Sequence, residues 1–136
     1  MTHSVWVSSC QQQCCGKNFG IGSSVEWNVR RVTEPDSWID LLLGAEWATK
    51  VGYAEDHHLA EANGVIAGVV RRIQVVTCTR ELGLAELLGR MEQCLVAVRG
   101  SGRLRDVAVA EKWEPEPRDE DADWTFEGWI VELEPL

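Results

Sequence analysis

The sequence is poor in phenylalanine, tyrosine and proline, with two, one and four of them in 136 residues, and it has no long apolar run. Its longest unbroken apolar stretches, Val65 to Val70 and Cys94 to Val98, fall far short of the ~18 residues that a membrane-spanning helix requires. Neither a transmembrane helix nor a membrane partner is expected. The opening MTHSVWVSSC lacks a basic segment followed by an apolar one, so it does not read as a secretory signal. Basic residues are also scarce: 13 Lys and Arg stand against 22 Asp and Glu, a net charge of −9. That field repels phosphate backbones, so nucleic acid is not an expected partner, even if Arg71, Arg72, Arg99, Arg103 and Arg105 share a sheet face.

Several site signatures are missing as well. There is no C-x-x-C knuckle, no H-E-x-x-H zinc-protease pattern and no complete glycine-rich phosphate loop; turn chemistry accounts for Gly20-Ile-Gly22 and Gly100-Ser-Gly102. Five cysteines cannot all pair, and Cys14 and Cys15 are neighbours, so a secreted disulfide framework is not expected. The thiols read as reduced, in a cytoplasmic protein. Each is then a small buried hydrophobe or a metal ligand.

What the chain does have is seven tryptophans and enough apolar residues for one small core, so residues 1–136 read as a single domain. Trp6, Trp27, Trp38 and Trp129 fall at apolar positions of the pattern. Residues 111–123, EKWEPEPRDEDAD, carry a net charge of −5 and two prolines, and they read as a solvated acidic loop. Trp113 and Trp124 flank its acidic stretch and are the candidate anchors for a protein partner.

Periodicity supplies the elements. Ser4–Val7 alternates and predicts a first strand, and Val25, Trp27 and Val29 share one face of a second. Trp38, Leu41, Leu42 and Ala45 recur at helical spacing after Pro35, with Gly44 or a turn beyond Trp47 as the end. A second short helix is expected over Tyr53–Ala62. The β-branched run Val65–Cys78 predicts a long strand with a bulge or bend at Gly68. Leu84, Leu87, Leu88 and Met91 suggest a third helix. Cys94–Arg99 and Arg103–Ala110 predict a hairpin across Gly100-Ser101-Gly102, and Thr125–Glu134 a closing strand with Phe126, Gly128 and Ile130 on one side. The expected fold is α+β: a small, strongly bent antiparallel sheet or barrel of five to six strands with two to three short helices.

The segments VWV and QQQCCG, followed by F-x-I-G-x-x-V-x-W at Phe19 to Trp27, resemble the opening of a family of small bacterial proteins, a domain of unknown function. The pair His57-His58, the G-S-G segment and the C-terminal GWIVELE are similar too. Members of that family tend to carry tryptophan where this chain has Cys10 and proline where it has Asn18. The resemblance therefore implies a packing role for Cys10, and it implies a shared architecture and no particular reaction.

Cys14, Cys15, His57 and His58 are the residue types of a structural zinc set. Adjacent side chains on a strand point to opposite faces, so chelation by both members of a pair needs a turn, which Gly16 permits. If one residue of each pair binds, Cys78 or Cys94 completes the set. The plainer alternative keeps the two thiols in a turn and the two histidines on a solvated helix face. A catalytic version uses Glu55, Asp56, His57, His58 and Glu61 on one helix face to hold a metal that activates water. The function expected from these features is a non-enzymatic binding module, with zinc as its candidate cofactor. The alternative is a small metal-dependent hydrolase.

Overall fold

The structure, a computed structural model, describes residues 2–9, 17–32, 38–56, 64–111 and 124–136. Of these, 67% lie in strands and 12% in helices, which overturns the α+β expectation: the fold is predominantly β. The strands are β1 (His3–Ser8), β2 (Phe19–Gly20), β3 (Ser24–Arg31), β4 (Val51–Glu55), β5 (Gly64–Cys78), β6 (Arg80–Leu87), β7 (Arg90–Ala97), β8 (Arg103–Val107), β9 (Val109–Ala110) and β10 (Thr125–Pro135). Two short helices, α1 (Trp38–Leu43) and α2 (Ala45–Lys50), lie between β3 and β4.

The large sheet runs β10-β1-β4-β3-β5-β8, and β10 also pairs with β5, so five strands close into a barrel. The length of β5 makes closure possible. Its first half pairs with β3, from Gly64↔Val29 to Val69↔Ser24, and its second half pairs with β8. Along its other edge runs β10, from Gly68↔Pro135 to Cys78↔Thr125. At Gly68 a Cβ would stand 2.6 Å from the Glu134 carbonyl oxygen, so that glycine serves the tight approach of two strands. The register step lies three residues on, where Arg71 is bulged between Val70 and Arg72.

Alternation divides the apolar side chains into two cores. Val5, Val7, Ile73, Val75, Trp129, Val131 and Leu133 fill the barrel, while Trp6, Val76, Cys78 and Ile130 face outward and pack under Ile39 and Leu42 of α1. Strands covered on both sides read as nearly continuous apolar runs, as in Trp129-Ile130-Val131 of β10. Phe126 breaks the alternation expected for it. A bulge at Glu127 returns the ring to the barrel core, where it meets Trp129 edge-on at 4.8 Å.

Three expected elements differ. The proposed third helix is an antiparallel ribbon, β6 with β7, turning at Leu88-Gly89. Both turn residues have positive φ, 51° and 79°, the two-residue turn whose twist suits a hairpin. The leucines fitted a helical period because Leu84, Leu87, Leu88 and Met91 straddle that turn. The expected G-S-G hairpin does not form, since β7 pairs with β6 and β8 with β5. The glycines instead cap α1: Gly100 N–H donates to the Leu41 carbonyl and Gly102 N–H to the Leu42 carbonyl, each at 2.9 Å. Helix-end carbonyls need such donors. Tyr53, Ala54 and Glu55, expected to open a helix, belong to β4, and residues 57–62 of that segment lie outside the described residues.

Candidate functional site

The β6–β7 ribbon pairs with no other described strand. Its register runs from Arg80↔Ala97 to Leu87↔Arg90, so period-two alternation puts Leu82, Leu84, Met91 and Leu95 on one face. These four are 62–69% exposed, Leu87 at the end of β6 is 46% exposed, and Leu88 at the tip is fully exposed. The opposite face carries Gly83, Ala85, Cys94 and Val96, all half-buried, beside exposed Glu81, Leu87, Arg90 and Glu92. A Cβ on Gly83 would stand 2.7 Å from a Val96 methyl, so a larger residue at that position requires Val96 to shift.

The base of the ribbon is clamped to the barrel. Arg80 donates from Nε at 3.1 Å and Nη2 at 2.8 Å to Glu127 Oε1, on the bulge of β10. The Cys78 thiol donates to the same oxygen at 3.2 Å. Burial, and next the Glu127 hydrogen bond, push that thiol up to about 12. On the other strand, Val98 N–H donates to the Thr79 carbonyl at 2.9 Å, and the Ser101 hydroxyl donates to the Val98 carbonyl at 2.7 Å while accepting from Thr79 N–H. Of these part-buried contacts, the charge-assisted ones to Glu127 are the strongest hold on geometry. The ribbon therefore projects from a fixed base.

Cys14, Cys15, His57, His58 and Glu61 lie outside the described residues, as do Cys10 and Trp113. Among the described residues no group of three or more His, Cys, Asp or Glu is placed to hold a metal. Of the two proposed substitutes, Cys78 is buried and engaged with Glu127, and Cys94 is half-buried on the small face of the ribbon. Trp124 is half-buried, with the Arg103 guanidinium 4.1 Å above its ring. Glu55 is 4% exposed on the last residue of β4, opposite Val29. Burial, and next the charge of Asp56, raise its pKa to about 7. Near that end of the barrel, Val29, Arg31, Tyr53 and Ile66 line a cleft of about 230 Å³, and the His3 ring meets Tyr53 edge-on at 5.5 Å.

The family of unknown function DUF6578 matches residues 1–135. The chain belongs to that family. No curated protein and no solved structure matches it. In this DUF6578 member, no helix among the described residues is long and apolar enough to cross a membrane. The arginines named for a possible basic face are largely engaged: Arg71 with Glu134, Arg72 with Asp106 at 2.7 Å, and Arg99 with Asp40 at 3.9 Å. The leucine face was missed by periodicity, although the alternation Leu82-Gly-Leu84 and the Leu88-Gly89 turn were in the sequence to find it.

Proposed function

We propose that this chain is a non-enzymatic interaction module whose contact element is the β6–β7 ribbon. The observation that carries the reading is Leu88. It is fully exposed at the tip and sits at φ 51°, where asparagine or glycine would be easier to hold. A large apolar side chain kept in a left-handed turn in open water has no folding role. Leu82, Leu84, Met91 and Leu95 extend it into a contiguous apolar face, which on soluble proteins marks contact with another macromolecule. The clamp at Arg80 and Glu127 supports the same reading, because a pre-ordered ribbon loses less entropy on docking.

The test is capture from an extract of the source organism with two baits, the native chain and Leu84→Asp. A partner retained by the first and lost by the second supports the reading, and identical retention removes it. Two further proposals stand apart from the ribbon. A contact through Trp113, Trp124 and the acidic segment is tested by deleting residues 114–123. A zinc ion held by Cys14, Cys15, His57 and His58 is tested by elemental analysis of untagged protein, for which one ion per chain is expected. The reduced-thiol reading, with Cys78 and Cys94 both free, supports a cytoplasmic setting.

A further inference from the structure

We propose that the leucine face of the ribbon docks on the same face of a second copy of this chain, the two ribbons lying antiparallel about a two-fold axis. The inference rests on the ribbon being the contact element and names its partner. Three observations argue for a second copy.

The first is that the face is self-complementary in charge. Arg80 stands at the base of the leucine side of β6 and Glu86 near the tip on the same side. An antiparallel partner places each Glu86 over the other copy's Arg80. Arg80 commits Nε and Nη2 to Glu127, while among the described residues Nη1 makes only a 3.5 Å contact to the Leu95 carbonyl, so it can meet a second carboxylate.

The second is register. The Gly83↔Cys94 level lies midway between Arg80 and Glu86: Leu82 and Leu95 are one step below it, Leu84 and Gln93 one step above. A two-fold axis there, lying across the strands, sets Leu82 of one copy on Leu84 of the other and Leu95 on Gln93, and brings Glu86 over Arg80 and Met91 over Ala97. The same patch meets itself, as an isologous interface requires.

The third is electrostatic. The ribbon carries two arginines, Arg80 and Arg90, against three glutamates, Glu81, Glu86 and Glu92, one net negative charge of the chain's nine. Two acidic bodies therefore meet at a patch that adds little to their mutual repulsion, and the ribbons keep the remaining charge apart. The four side chains of the face offer roughly 500 Å² per copy, so the pair lies at the lower limit for specific interfaces and the dimer is a reversible one.

Sedimentation equilibrium of the full chain tests this, from about 1 µM to about 500 µM at low salt, where a concentration-dependent dimer is expected. The mass should rise from 15.2 kDa toward twice that value. Leu84→Asp is expected to hold the protein at the monomer mass with an unchanged melting temperature, because its side chain is 69% exposed. Glu86→Arg, which sets like charges together at both ends, should weaken association at least tenfold, and Glu86→Gln less. A dimer untouched by Leu84→Asp would overturn the proposal by placing the contact elsewhere. A dimer untouched by Glu86→Arg overturns the antiparallel register. A protein monomeric throughout overturns the second copy as partner. The interaction reading then stands or falls separately on the capture experiment.

Discussion

Cys78 and Glu127 are joined across 3.2 Å at the foot of the ribbon, the buried thiol donating to a carboxylate oxygen that also takes two donors from Arg80. The thiol is fully buried and its pKa is pushed up to about 12, so almost no thiolate exists near neutrality. Alkylation of the native protein at pH 8, followed by peptide mass mapping, should modify Cys94 and spare Cys78. Modification of both at one rate would contradict the assigned burial.

Replacing Glu127 by alanine strands the Arg80 guanidinium at the same foot. Their side chains are 11% and 29% exposed, so the pair is partly screened, and the expected loss is about 2 kcal/mol on chemical denaturation. Hydrogen exchange should accelerate most in the amides of β6 and β7, because a two-stranded ribbon has little stability without its anchor.

Gly128 admits no side chain. A Cβ there would overlap the carbonyl oxygen of Val7 and stand 2.9 Å from the Trp6 ring, and φ is +154°. The obstacle is paired backbone, since Gly128 lies opposite Ser8 in the β1–β10 ladder. Gly128→Ala should cost about 3 kcal/mol or more, read as a lowered denaturation midpoint.

Leu88→Asn separates folding from contact. Asparagine suits the left-handed turn, so the variant should gain up to about 1 kcal/mol of stability. It also removes the exposed tip, so retention of a partner should fall. A stabler protein that binds as before would show that Leu88 makes no contact.

Glu55 makes stability depend on pH. Its folded pKa is about 7 against an ordinary 4.5, so between those values the folded chain keeps a proton that the unfolded chain has released. Stability from this group is therefore greatest below pH 4.5, falls as pH rises through the window, and is level above about 7. At one pKa unit per 1.4 kcal/mol, the effect amounts to about 3 kcal/mol at most. Glu55→Gln should remove this contribution to the slope and be the stabler protein at pH 8.

The sequence was most legible where burial is one-sided. Val25, Trp27 and Val29 of β3 line the barrel core while Glu26, Asn28 and Arg30 face water, as period two requires. It was least legible where two periods coincide, as in Glu81–Met91, where Leu84 and Leu87 of β6, Leu88 of the left-handed turn and Met91 of β7 fall at helical spacing. Leu88 fills a turn position that asparagine or glycine usually signals, so Gly89 alone marked the turn.

Local chemistry alone determined the first strand, the long β5 and the closing β10, because β-branched runs and alternation act over a few residues. Tertiary structure alone decided that Gly100 and Gly102 cap a helix some sixty residues away, that a bulge at Glu127 turns Phe126 inward, and that Arg80 finds a half-buried carboxylate at the foot of the ribbon. Each joins groups far apart in the chain, and the energy of such pairings depends on which strands become neighbours when the barrel closes. Exposure belongs to the same class. A leucine is hydrophobic by its own chemistry, but whether it faces core or water is settled by what the rest of the fold leaves uncovered.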